Sequence, residues 1–363
     1  MSYQIYQWKD IESIFLKSNI LLGNGASIAV SNSFNYSSLK EVASSSSLIQ
    51  EEESLFDFFE TNDFEQILKI VWQASNVNKI LKVKDKKTQN IYHKIRDSLI
   101  KAVHQIHPNY NEISDDIINI SNFLQKFNII VSLNYDLIIY WAILYANEQN
   151  NQFTDCFLYG KFDFDNNSFC KFYNEKIKVF YPHGNLILAY DKILNEVKLQ
   201  TNSNNLIKSI INEWNSENYN PLFISEGSSQ QKINAIQRSN YLNTVYKNIL
   251  PELIRINHFS NYRFPEYSLN KKPSYSTSTY IEQNLKEYNT IVIYGFGFGT
   301  QDKHILKQIF QKISSDNITC LAISVYNNDM NYCNNIISRL EKYKKNLHIY
   351  FFDSQSSGCW NNA

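Results

Sequence analysis

Three polar residues stand where this chain could do chemistry: Asn134 and Asp136 in Asn134-Tyr135-Asp136, and His183 in His183-Gly184. Each follows a run that reads as a buried strand, Asn128 to Ser132 for the first pair and Ile177 to Tyr181 for the histidine. An imidazole titrates near working pH and suits a general base. An amide can hold a water or a sugar hydroxyl, and a carboxylate can orient either. Glu226, in Ser225-Glu226-Gly227 after Leu222-Phe223-Ile224, adds an acidic group at a further strand end. Two glycine turns complete the set. Ile20-Leu21-Leu22 runs into Gly23-Asn24-Gly25-Ala26-Ser27, and Thr290 to Tyr294 runs into Gly295-Phe296-Gly297-Phe298-Gly299, with Asp302 just behind. Glycine at such a turn permits φ > 0 and lets a ligand approach the backbone. The free N–H groups of the following helix favour phosphate. The dinucleotide fingerprint is incomplete, because Ile28 stands where its third glycine would be.

Plainer readings exist for each piece. A His-Gly can be a structural turn, and Asn-x-Asp can be a helix N-cap. Asp302 can cap a helix starting at Lys303. His104 and His107 read as an exposed helix face, and His304 and His348 have no evident partner. The argument for a site is coincidence. Five strand ends carry polar or glycine residues, and in an open parallel sheet ligands bind at the carboxyl ends of the strands.

The elements that must position these residues follow from pattern. After the first glycine turn come loop-like residues to Ser47, then helical periodicity from Glu51 through Phe127. Strand and helix patterns alternate in the last third: strand 290–294, helix 302–312, strand 319–325, helix 330–342 and strand 347–352. This predicts an α/β fold, a doubly wound, mostly parallel, Rossmann-like sheet. Residues 1–46 begin that domain, 47–127 form a helical insertion, and 128–363 complete the domain. A strand at 222–224, a helix from about 230 to 250, and a meander over 186–190 and 197–201 lie between.

Composition narrows the class. Lys+Arg 35 balances Asp+Glu 35, so no overall basic field points to nucleic acid. No apolar run approaches the ~18 residues of a membrane span. Five cysteines, none in a C-x-x-C pair, fit neither a zinc ribbon nor a disulfide framework, and suit a reducing cytoplasm.

In that order, Gly23-Asn24-Gly25-Ala26-Ser27, Asn134-Tyr135-Asp136, His183-Gly184 and Gly295 to Asp302 resemble the motifs of the sirtuin-like superfamily. The Asn-Tyr-Asp form is similar to its bacterial branch in anti-phage defence, and Gln301-Asp302-x-His304-Ile305 to a subfamily once catalogued as of unknown function. The resemblance spans roughly residues 18 to 352. Two departures matter. No cysteine lies between Cys170 and Cys320, so the four-cysteine zinc module of deacylating sirtuins is absent. Gly297-Phe298-Gly299 stands where a serine or threonine is usual.

The resemblance implies an enzyme that hydrolyses NAD+ to nicotinamide and ADP-ribose, with NAD+ as substrate and neither a cofactor nor a metal. Breaking that bond builds oxocarbenium-like charge on the ribose. The leaving pyridinium is already cationic, so a positioned water and a near-neutral base suffice. The implied catalytic residues are Asn134, His183 and Asp136. The implied NAD+ contacts are Gly23, Asn24, Gly25, Ala26, Ser27, Ser132, Glu226, Gly295, Gly297 and Asp302. A toxic effector of this kind must be gated, by homo-oligomerisation or by a partner protein from the same defence operon. ADP-ribosyl transfer and a non-catalytic NAD or ADP-ribose sensor are the alternatives.

Overall fold

The computed structural model describes residues 3–35, 39–155, 157–158, 160–162, 176–199, 206–216, 218–224, 228–258, 287–311, 319–341, 343 and 347–362. In chain order the strands are β1 (Ile5–Tyr6), β2 (Asn19–Leu22), β3 (Ile129–Ser132), β4 (Phe153–Thr154), β5 (Phe157–Leu158), β6 (Lys161–Phe162) and β7 (Ile177–Phe180). They continue as β8 (Gly184–Tyr190), β9 (Glu196–Lys198), β10 (Asn220–Phe223), β11 (Arg255–His258), β12 (Glu287–Tyr294), β13 (Thr319–Val325) and β14 (Leu347–Asp353). Eight of them form one parallel sheet in the order β1-β14-β13-β12-β2-β3-β7-β4, and β11 adds antiparallel to β12. The strands β2 and β13 are buried at every residue, as a parallel sheet covered on both faces requires. Helices flank the sheet, so the α/β, doubly wound, Rossmann-like expectation holds.

The flanking helices carry their apolar residues on one face. Met330–Leu340 buries Cys333, Ile336, Ile337 and Leu340, and Asp329 caps it by accepting from Tyr332 N at 3.0 Å. Between β2 and β3 lie helices Leu39–Ser45, Glu53–Phe58, Phe64–Ile80, Lys86–Ile106 and Ser114–Leu124. Rings from both ends of the chain meet in the core: Trp8 lies 5.0 Å from Phe352, and Trp360 lies 5.3 Å from Tyr294 and 6.1 Å from Phe123.

The structure departs from the sequence reading in three places. The meander expected over 186–190 and 197–201 is the β8–β9 part of a larger second sheet, β10-β8-β9-β6-β5, which is antiparallel. The strand expected near 222–224 is β10, and it pairs with β8 there, so its end is not an end of the parallel sheet. The helix expected from 230 to 250 is broken into Ser229–Gln237, Asn240–Thr244 and a π turn over Val245–Ile249. Ser239 causes the first break, since its side chain accepts from Leu242 N at 3.0 Å and caps a new helix. Lastly, the strands before Asn134 and His183 are expected on either side of β2, yet β12 and β3 flank it and β7, which leads to His183, stands one strand further out.

Candidate functional site

A cavity of about 1030 Å³ opens over the carboxyl ends of β2, β3, β7 and β12. Gly23, Asn24, Gly25, Asn134, Asp136, His183, Gly295, Gly297 and Asp302 all lie on its wall, although they come from four separate stretches of chain. Ala26, Ser27 and Ser132 are buried behind that wall. Glu226 lies outside the described residues.

The two glycine turns interlock. Gly23 N donates to Tyr294 O at 2.9 Å and Gly25 N to Gly295 O at 2.7 Å. A Cβ at Gly23 would lie 2.6 Å from Phe296 Cα, and one at Gly25 2.8 Å from Gly295 Cα. The expectation for the first turn is therefore corrected. Gly23 has φ −109° and caps the seven-residue helix Asn24–Val30, so the left-handed conformation is not what selects glycine there. The close approach is that of the second turn, where Gly295 takes φ +65°. A Cβ at Gly297 would meet nothing within 4 Å, so that residue is open to the cavity.

Beside the first turn lies a chain of neutral and anionic hydrogen bonds. Asn134 Nδ2 donates to Gly23 O at 3.0 Å and to Ser27 Oγ at 2.7 Å. Ser27 Oγ donates to Asp136 Oδ2 at 2.5 Å, and Asp136 Oδ1 accepts from Ile138 N at 2.9 Å. Ser132 Oγ accepts from Asn134 N at 3.2 Å. Both carboxylate oxygens of Asp136 are thus engaged, Oδ2 by Ser27 beside the turn and Oδ1 at the start of helix Ile138–Asn150. Asn134 is anchored through its amide nitrogen, which leaves its oxygen for a ligand.

Two supports of this wall were not read from sequence. His107 was expected on an exposed face, yet it is buried. It ends the helix Lys86–Ile106, and its Nε2 accepts from Leu137 N at 2.9 Å. Burial holds its pKa below the ordinary value, against the opposing pull of Asp136. Asn185 donates to Asp136 O at 2.6 Å.

On the other side, His183 has a partner that sequence did not reveal. His304, expected to have none, places Nε2 3.1 Å from His183 Nε2. The ring centroids are 5.3 Å apart and the planes 27° from parallel. That separation is about the nitrogen gap plus one ring radius on each side, so the two nitrogens point at one another along the line of centres. This is the geometry of an N–H···N hydrogen bond. His183, His304 and Asp302 offer ligand atoms within 4.8 Å of one another, the donor set of a metal site. Metal–nitrogen bonds of about 2.0 Å cannot both be drawn along a 3.1 Å line, so a metal would require the rings to turn.

Surrounding groups anchor both rings. His183 also hydrogen-bonds the Leu133 backbone carbonyl, and Ser229 Oγ lies 3.2 Å from His304 Nδ1. His304 is likewise hydrogen-bonded to the Gln301 backbone carbonyl, so a main-chain oxygen anchors each ring while the two Nε2 atoms face one another. Lys232, another residue sequence did not single out, is ion-paired to Asp302 at 2.9 Å. Burial, then the Lys232 ammonium and His304, hold the His183 pKa well below the ordinary value. Burial likewise takes His304 to about 4, Asp302 opposing and Lys232 assisting. The near-neutral base expected at position 183 is corrected to an imidazole held neutral.

The far end of the cavity is lined by Ser324, Asp329, Tyr332 and Ser354. Ser324 Oγ accepts from Gly295 N at 2.9 Å. The rule that ligands meet parallel sheets at strand ends pointed to the end of β13 as well, and Ser324 sits there.

A family model described as Domain of unknown function (DUF4917) matches residues 20–258 and 266–360, a span that includes every site residue named above. No curated protein matches the chain.

Proposed function

We propose that this chain, which belongs to the family of DUF4917 proteins, hydrolyses NAD+ to nicotinamide and ADP-ribose. The observation that carries the proposal is convergence: motifs from four stretches of chain line one cavity at the carboxyl ends of parallel strands. Its volume of about 1030 Å³ has room for a dinucleotide.

In this reading the interlocked glycine turns form the seat of the nucleotide, with Gly297 open to the cavity. Asn134, held by Gly23 and Ser27, presents its amide oxygen to the attacking water or a ribose hydroxyl. His183 is neutral, the protonation state a base must have. To accept a proton from water, its Nε2 exchanges the His304 ring nitrogen for that water. Water is activated next to the ribose carbon as the carbon–nitrogen bond to nicotinamide breaks. The nitrogen keeps the bonding electrons, and nicotinamide leaves neutral. A role as a gated toxic effector of anti-phage defence, held silent by a partner or by self-association, is supported by motif order alone.

A second reading is favoured by one observation. Both ring nitrogens of His183 are occupied, as they would be in a module that binds NAD or ADP-ribose without turnover. Nicotinamide release and NAD+ affinity, measured on wild type, Asn134→Ala and His183→Ala, decide between them. Hydrolysis predicts that His183→Ala lowers kcat about 10²–10⁴-fold with affinity and Tm little changed. Asn134→Ala should cost roughly 10²-fold, through a misplaced water. Tight NAD+ binding without release of nicotinamide, in the wild type and both variants, establishes the binding module.

A further inference from the structure

We propose that the arm between helices Phe64–Ile80 and Lys86–Ile106 docks on an anionic lipid surface. The first helix buries Phe64, Glu65, Ile67, Leu68, Val71 and Trp72, and nothing after Trp72. The second buries nothing before Tyr92. The arm therefore projects from the body by the eight residues from Trp72 to Ile80, about 12 Å at the helical rise.

Its tip has an unusual surface. Ile80 is 80% exposed, Leu81 67%, Val77 55% and Val83 51%. Residues 79–87 contain five lysines and one aspartate, a formal charge of +4 on a chain whose net charge is +0. All five lysines are exposed, and none is ion-paired to a described residue. The aspartate is spoken for: Asp85 caps the second helix, accepting from Lys87 N and Thr88 N, and takes a hydrogen bond from Asn78 Nδ2.

Chemistry selects the occupant. The positive charge calls for an anionic partner. Nucleic acid would favour arginines and stacking rings, and the tip has neither. The apolar groups surround a convex point rather than line a flat face, which suits a fluid phase that closes around them. Basic residues beside apolar ones that reach the headgroup boundary bind anionic bilayers by this combination. Contact of this kind is superficial, since among the described residues no helix is long and apolar enough to cross a membrane.

The test is co-sedimentation of the full chain with phosphatidylcholine vesicles, with and without phosphatidylglycerol. Binding is expected to the anionic vesicles only, and to weaken as salt rises. Each lysine near the surface is worth about 5-fold, so Lys82→Gln with Lys84→Gln should weaken binding about 25-fold. Ile80→Ser with Leu81→Ser should weaken it roughly tenfold or more. Both variants should melt as the wild type does, because the changed side chains are in solvent. Equal binding to neutral vesicles, no binding to anionic ones at low salt, or an unaffected Ile80→Ser/Leu81→Ser variant overturns the proposal. So does a dimer lost in that variant, which assigns the tip to a second copy, or duplex DNA binding lost with the lysines.

Discussion

The two walls of the cavity are built on different principles. One wall runs through Gly23, Gly25, Asn134, Ser27 and Asp136, and each of these residues is tied to another part of the wall by a hydrogen bond of 3.0 Å or less. The other runs through His183, His304, Lys232 and Asp302, where four titratable side chains face one another. The first is fixed by shape and can change only by breaking. The second can change by moving a proton, without any strand moving. A ligand that needs a rigid seat and an adjustable proton acceptor is served by such a pair of walls.

The largest test is on the shaped wall. Gly25→Val would place a Cβ against Gly295 Cα and its carbonyl, both 2.8 Å away, with two further methyl groups beyond it. Loss of more than ~4 kcal/mol of stability is expected, visible as a fall in the denaturant midpoint. A variant that folds with near wild-type stability would show that the turns separate easily, and the contrast between walls would collapse.

A smaller effect is expected on the titratable wall. Lys232→Met should leave the Asp302 carboxylate largely buried without its ion-pair partner, at a cost of about 2 kcal/mol. It should also raise the His183 pKa, because the ammonium that opposes imidazolium is gone. Adding Asp302→Asn to Lys232→Met should recover most of the stability. If it does not, the pair is not the unit it is taken for.

The smallest effect concerns acid. His183 and His304 have native pKa values below those of the unfolded chain. Below the ordinary histidine value near ~6.5 the unfolded state binds protons that the native state does not. Stability is therefore complete above about pH 6.5 and declines as pH falls toward 4. His304→Asn should flatten that decline by at least one proton's worth, about 1.4 kcal/mol per pH unit. An unchanged pH slope of Tm would place these imidazoles in contact with water, with their charge unopposed.

The same contrast explains what was legible in the sequence. The parallel strands were, since Ile20-Leu21-Leu22 and Thr319 to Val325 are apolar runs with no other destination. The shaped wall was legible because its residues are close in sequence to strand ends and carry glycine or Asn-x-Asp. The titratable wall was only half legible. His183 follows a strand, but His304 and Lys232 sit on helices and acquire meaning through partners far along the chain. His107 misled for a related reason: no ligand partner stands near it in the sequence, and its actual partner, Leu137 N, comes 30 residues later. The meander at the heart of the antiparallel sheet was legible, but β10 was not placed in it, because with Leu222 and Phe223 it is as apolar as a parallel strand and direction leaves no trace in composition.

The joint between the glycine turns has a consequence in time. β2 is made early, but its neighbour β12 and the Trp360 indole, which donates to Ala26 O at 2.9 Å, are made much later. At about 5–20 residues per second, the ribosome takes roughly 14–54 s to travel from Leu22 to Tyr294, the end of β12. Throughout that interval β2 has an unpaired edge and the cavity has one wall missing. The nascent chain is therefore without a complete site, and a cell making the protein meets its finished cavity only after the last strands have been delivered.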